Sequence, residues 1–260
     1  MESRVSRVAA VYDIHGNLPA LEAVLPDIER AGADLVVVGG DVASGPMPAE
    51  VLDLLTALGE NVRFVRGNAD REVVLAYDHN GSPVEDDPAE RSAAWAASRL
   101  SRQHRDLLAS FSGSIVVEIE GLGEVLFCHG SPRIDEEILT STTPDSRLRE
   151  ILSGVDQDLV VCGHTHAQFD RRADHVRIVN AGSVGLPYQG TPVSAFWLLL
   201  GPEVEFRHSD YDLKLAVEQI RATGYTEAED TAESLLDPPN PIWVAELFEQ
   251  QATDDPPDTP

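Results

Sequence analysis

Five short apolar runs mark the first two thirds of the chain, and each stops on a polar cluster that contains glycine. VAAVY runs into Asp13-Ile14-His15-Gly16-Asn17, LVVVG into Gly40-Asp41, and VRFVR into Gly67-Asn68. VLFC runs into His129-Gly130-Ser131, and LVVC into Gly163-His164-Thr165-His166. Runs this short suit buried strands better than helices. Helical spacing fills the intervals. In NLPALEAVLPDIERAG, Leu18, Leu21, Val24 (or Leu25) and Ile28 form one stripe, with Asn17 as N-cap, Pro19 in the first turn and Gly32 as the stop. PAEVLDLLTALG lies in the same way between the second and third runs. This β–turn–α rhythm predicts a layered α/β fold. Ligands of open α/β sheets gather outside the carboxyl ends of the strands. Five strands of one sheet would therefore carry all five clusters to one rim.

The remaining segments complete the plan. Residues 78–90 read as a loop, and 89–110 as one or two helices packed by Trp95, Leu100, Leu107 and Leu108. SIVVEIE and GEVLFC, joined by GLG, predict a hairpin. A helix is expected near 144–154. HVRIVN, VSAFWLLL and EVEFRH are expected to form a second sheet. Residues 210–250 hold two or three amphipathic helices interrupted by DPPNP. The organisation expected is a domain over 1–208 with a helical insert at about 78–110, a helical extension over 209–250, and a disordered acidic tail over 251–260.

Charge excludes some roles. The chain has 45 acidic against 19 basic residues, a formal net charge of −26, with Lys214 as its one lysine. That balance opposes an extended nucleic-acid surface and docking on anionic membranes. A GC-rich genome explains the scarcity of lysine, and a high-salt cytoplasm explains the acidity; both origins stay open. The longest apolar run, SAFWLLL, is too short to span a bilayer, and the N-terminus has no signal-peptide pattern. Cys128 and Cys162 both end apolar runs and read as reduced strand residues, which fits a cytoplasmic protein. The apolar stripes of the last helices would either cover the sheet or pair two copies; a homodimer is the expectation.

The clusters supply three oxygen donors, Asp13, Asp41 and Asn68, and four imidazoles, His15, His129, His164 and His166. Any one Asp-x-His or Gly-Asn pair is commonplace; the common placement past strand ends is not. Seven donors exceed the needs of one zinc ion and suit two ions that share a carboxylate. Mixed nitrogen and oxygen donors without thiolate fit Mn, Fe, Zn, Ni or Co. Cys128 and Cys162 precede ligand positions but face the other way along a strand. His104, His175 and His208 belong to no motif and read as structural or exposed.

In this order, YDIHGNLPALEAVL, GGDVASGPMP, VRGNAD, CHGSP, CGHTH and NAGSVGLP resemble the calcineurin-like metallophosphoesterase superfamily, in its small bacterial and archaeal phosphodiesterase branch. The likeness spans roughly residues 5–208. It implies a four-layer α/β/β/α sandwich of two mixed sheets with a dinuclear centre at one edge. It implies two divalent ions, manganese first, with Fe, Zn, Ni, Co or Mg also admissible. Asp13, His15 and His166 would hold one ion, Asn68, His129 and His164 the other, and Asp41 would bridge them. The activity implied is hydrolysis of a small phosphate ester by in-line attack of a bridging hydroxide, with Asp41, Asn68 and His129 acting through hydroxide and phosphate. Asp70 and Asn17 would stand behind these, although each could equally cap a helix. Asn180 and Ser183 would support the site. Arg133 would clamp a substrate oxygen or form a surface ion pair. Many members carry histidine after the Gly-Asn asparagine, and here that residue is Ala69. The departure favours diesters and activated esters over monoesters, unless another donor such as His79 serves. The alternative is a non-catalytic metal-binding scaffold on the same fold.

Overall fold

The computed structural model describes residues 5–80 and 87–252; residues 81–86 of the expected loop and 253–260 of the expected tail lie outside them. Two five-stranded mixed sheets pack face to face. The first has the order β10 (Val204–Ser209), β9 (Ala195–Leu200), β1 (Val8–Val11), β2 (Leu35–Val38), β3 (Val62–Phe64). The second has the order β4 (Ser114–Ile119), β5 (Gly123–Cys128), β6 (Leu159–Cys162), β8 (Val176–Asn180), β7 (Phe169–Ala173). Each has a parallel core, β1–β2–β3 in one and β5–β6–β8 in the other, with antiparallel partners at its sides.

This corrects two expectations. The five cluster-bearing strands are not in one sheet: β1, β2 and β3 belong to the first, β5 and β6 to the second. VSAFWLLL and EVEFRH close the first sheet beside β1, whereas HVRIVN joins β6 in the second. A strand buried on both faces is a plain apolar run whichever sheet holds it, so the runs carry no mark of sheet membership. The packing carries that mark. Ala9 and Val11 point to the helices, while Val8, Ala10 and Tyr12 point to the opposite sheet, where they meet Phe127, Val161 and Val179.

Helices cover both outer faces. Helix α1 (Leu18–Ala31) starts at Asn17, whose side chain accepts from the Ala20 N–H, and stops at Gly32 in the left-handed conformation. It packs on the first sheet with α2 (Pro48–Thr56), α3 (Asn68–Asp78), α4 (Pro88–Arg99) and α5 (Arg102–Ala109). Helix α6 (Asp145–Ile151) covers the second sheet through Leu148 and Ile151. The C-terminal stretch forms α7 (Leu213–Ala222), α8 (Ala228–Leu236) and α9 (Pro241–Gln251), with DPPNP between the last two. Helices α7 and α8 join Met47 and Trp95 in a separate apolar cluster. Among the described residues no helix is long and apolar enough to cross a membrane.

Candidate metal centre

The five clusters meet where the carboxyl ends of both parallel cores converge. Asp13, His15 and His166 form one compact group, and Asp41, His129 and His164 form another, with ligand atoms within 4.8 Å of one another in each. Asp13, Asp41, His129 and His166 are all buried. Asp41 links the groups. Its Oδ2 lies 3.7 Å from His15 Nε2 and 3.3 Å from His129 Nε2. Its Oδ1 accepts from the Ala69 N–H at 2.9 Å.

Backbone carbonyls fix three of the imidazoles. His15 Nδ1 lies 3.1 Å from the Ser44 carbonyl, His129 Nδ1 2.8 Å from that of Gly39, and His166 Nδ1 2.8 Å from that of Leu186. A carbonyl only accepts, so each Nδ1 carries the proton, and in the neutral ring Nε2 presents a lone pair. His15 Nε2 and His166 Nε2 then face each other at 3.1 Å. Two lone pairs at that distance repel unless a proton or a cation stands between them. His129 Nε2, Asp13 Oδ1 and Asn68 Oδ1 are buried with no hydrogen-bond partner. Unpaired buried polar atoms are costly, and two of these, His129 Nε2 and Asp13 Oδ1, lie 3.7 Å apart. Asn68 sends its Nδ2 to Glu72 Oε1 at 3.5 Å, which leaves its oxygen for the centre. The donors present therefore fit two divalent ions.

Charge is balanced tightly. Burial pushes the Asp13 and Asp41 carboxyls up, but the neighbouring imidazoles, His166 for Asp13 and His129 for Asp41, outweigh it and hold both below the usual range. Burial disfavours charge on His129, yet Asp41 and then Asp13 raise it to about 10. Burial, then His129, lowers His164 to about 4. Burial and His166 lower His15.

Behind these groups, Asp70 ties two loops together, the one after β2 and the one after β3. Its Oδ2 accepts from the Asp41 and Gly67 N–H groups at 2.9 and 3.0 Å, and its Oδ1 from Val42 N–H at 2.9 Å. Burial and the nearby Asp41 charge push this carboxyl up to about 7. The glycines of the Gly-Asp and Gly-Asn pairs have steric causes. A Cβ on Gly67 would stand 2.1 Å from Asp41 Oδ1, and one on Gly40, whose φ is +102°, 2.6 Å from His129 Nδ1.

Several expected residues have other work. Asn17 caps α1 and donates to the Gly185 carbonyl at 2.8 Å, so its polar atoms are committed to the scaffold. Asn180 donates to the Gly163 carbonyl and Ser183 to that of Asp13, both bracing ligand loops. Arg133 pairs with Glu137 and Glu150. His79 is exposed at the far end of α3, about 15 Å along the helix from Asn68, too far to donate at the centre. Burial keeps Cys128 and Cys162 as thiols.

No motif pointed to the tyrosines. Tyr188 stacks on His166 with ring centroids 4.8 Å apart and meets Phe248 of α9 at 6.4 Å. Tyr225, between α7 and α8, donates to Ser92 Oγ at 2.6 Å. Ser92 Oγ meets Ser44 Oγ at 2.8 Å, beside the carbonyl that orients His15. The C-terminal helices thus brace the centre on two sides. Glu72 was legible in principle, because it lies one helical turn after Asn68.

Two face-to-face mixed sheets with nitrogen–oxygen ligand groups at their shared rim define a protein of the metallophosphoesterase class. A profile of the calcineurin-like phosphoesterase superfamily domain matches residues 7–200, and the chain belongs to that superfamily. An uncharacterized protein of Methanocaldococcus jannaschii is 28% identical over 237 residues, 83% of this chain and 92% of that one. The phosphodiesterase YfcE of Escherichia coli K12 is 27% identical over 191 residues, 70% of this chain and 81% of the relative. A solved metallophosphoesterase from Sphaerobacter thermophilus is 27% identical with a TM-score of 0.72, covering 90% of this chain and 99% of that one. A hypothetical protein from Pyrococcus horikoshii, 24% identical over the same shares, has the same fold at a TM-score of 0.78. The superfamily uses divalent metals, and this chain has two groups able to bind them.

Proposed function

We propose that the chain is a two-metal phosphodiesterase. One observation carries this reading: Nε2 of His15 and His166 face each other at 3.1 Å, and the buried, unpartnered Asp13 Oδ1 and His129 Nε2 stand beside them, the first 3.5 Å from His166 Nε2 and the second 3.7 Å from Asp13 Oδ1. Asp13, His15 and His166 would hold one ion, Asn68, His129 and His164 the other, and Asp41 would bridge them. When bound, such a pair neutralises phosphoryl oxygens and supplies a hydroxide nucleophile near neutral pH. Manganese is the first choice among the ions that suit this ligand set. The chain's own residues fix the ligands: the three carbonyls set the imidazole tautomers, and Asp70 holds the loops of Asp41 and Asn68 in register.

Diesters are favoured over monoesters for two reasons. Ala69 offers the site only a methyl group and a backbone N–H, which is already given to Asp41. A poor alkoxide leaving group would lack a proton donor there, a loss worth about 10²–10⁴-fold. The cleft beside the centre also carries the carboxylates of Glu72, Glu227 and Asp230, which disfavour a dianionic monoester.

The test is manganese-dependent hydrolysis of bis-p-nitrophenyl phosphate beside p-nitrophenyl phosphate, with Asp41→Ala as control. The expected result is diester turnover that exceeds monoester turnover and vanishes in the variant. A folded, metal-loaded protein that turns over neither ester would move the assignment to a binding scaffold.

A further inference from the structure

Beside the metal centre opens a cleft of ≈ 400 Å³, with His15, Asp41 and Asn68 on the metal side. Its far wall comes from α3, α4 and the C-terminal helices. Three carboxylates face it: Glu72 on α3, Glu227 at the N-cap of α8, and Asp230 in the first turn of α8. Glu227 is paired with Arg91 at 2.8 Å. Among the described residues Glu72 accepts one hydrogen bond, from the Asn68 amide. Asp230 has no hydrogen bond or ion pair among the described residues, and it is exposed. No lysine or arginine lines the cleft among the described residues. Arg71, on the same helix as Glu72, is committed to Asp135 and Glu136. Aromatic surface is present: Tyr188 and Tyr225 both line the cleft.

This composition has a consequence for substrate charge. Two divalent ions balance Asp13, Asp41, one hydroxide and one phosphodiester anion, with no positive charge left over. A further anionic group on the substrate would meet Glu72 and Asp230 with no cation to compensate. An ammonium group would meet carboxylates and tyrosine rings, the pairing that recognises organic cations. We propose that the cleft selects phosphodiesters by charge: it takes esters whose second alcohol is cationic or uncharged, and disfavours those that carry another anion, nucleoside polyphosphates included. The inference rests on the phosphodiesterase reading and adds the substrate class to it.

Three p-nitrophenyl phosphodiesters with one leaving group test it. Their second alcohols are choline, ethanol and 3-hydroxypropionate, so only the distal charge changes. With manganese-loaded protein at low salt, kcat/KM should fall in that order, by about tenfold from first to last. Calorimetric Kd values for the methylphosphonate monoesters of the same alcohols, whose one ester bond has a poor alkoxide leaving group and which therefore resist turnover, should rank alike. Asp230→Lys should flatten or reverse both rankings, and Asp230→Asn should weaken them. Asp230 is exposed and touches no ligand, so both variants should fold. Equal constants across the three alcohols, preference for the anionic one, or rankings unmoved by Asp230→Lys would overturn the proposal. Failure to hydrolyse any ester would count against the phosphodiesterase reading alone, because the phosphonate ranking still decides the charge selection.

Discussion

At the scale of single residues, five of the seven proposed ligands hold positive φ: Asp13 at 52°, His15 at 46°, Asp41 at 52°, His164 at 66° and His166 at 57°. Such backbone costs an L-residue about 1–3 kcal/mol unless its surroundings impose it. Here buried hydrogen bonds impose it: Asp70 holds the Asp41 N–H, the Gly40 and Asp41 carbonyls those of Asp13 and His15, and Asp13 Oδ2 that of His164. Asp70→Asn keeps the shape but replaces one accepting oxygen with an amide donor facing N–H groups. It should lower stability by about 1–3 kcal/mol and metal affinity by about 10–100-fold. Denaturant melts and metal titration would check this, and an unchanged metal affinity would dismiss Asp70 as a loop tie for the centre. His129 makes a second prediction. Its burial disfavours charge, but Asp41 raises it to about 10, so near pH 7 it carries a proton that an ion must displace. Affinity should therefore climb as pH rises towards 10 and fall as pH drops. His164, lowered to about 4, is already neutral near pH 7 and adds nothing to that slope. Titration calorimetry in buffers of different ionisation enthalpy should show proton release at pH 7. Buffer-independent heats would contradict it.

At the scale of elements, much of the site was legible because strand ends and turns announce themselves. Gly-Asp, Gly-Asn and Gly-His-x-His sit where an apolar run must stop, and the glycines there are sterically required, Gly40 by His129, Gly67 by Asp41 and Gly163 by Tyr12 and Asp13. The partition of strands was not legible. Leu35–Val38 and Leu159–Cys162 are equally apolar and equally buried, yet belong to different sheets. Long-range side-chain contacts were also invisible: nothing in the sequence links Tyr225 to Ser92, or Tyr188 to His166. The Tyr225–Ser92–Ser44 chain gives a prediction for the C-terminal helices. Tyr225→Phe leaves the Ser92 hydroxyl without its buried donor, so stability should fall by about 1 kcal/mol. If the chain also steadies the loop that orients His15, affinity for one ion should drop while the other is unchanged. Equal loss at both sites would mean that the helices act only through general packing.

At the scale of the whole molecule, the net charge of −26 sets the response to salt. Among the described residues most arginines sit in ion pairs, and those exposed on both sides, such as Arg102–Asp106 and Arg221–Glu229, are individually weak. The uncompensated acidic excess therefore outweighs them, and screening it should stabilise the fold. The Tm should rise between about 0.05 M and about 1 M sodium chloride. A Tm that falls or stays flat would show that the ion pairs matter more than the excess. The central claim, however, is the seven-residue centre itself, and metal stoichiometry tests it most directly. Elemental analysis of saturated, desalted protein should give two ions per chain. His164→Ala should lose one of them and Asp41→Ala should lose at least one. A single ion in the unaltered chain, or two retained after Asp41→Ala, would contradict the account.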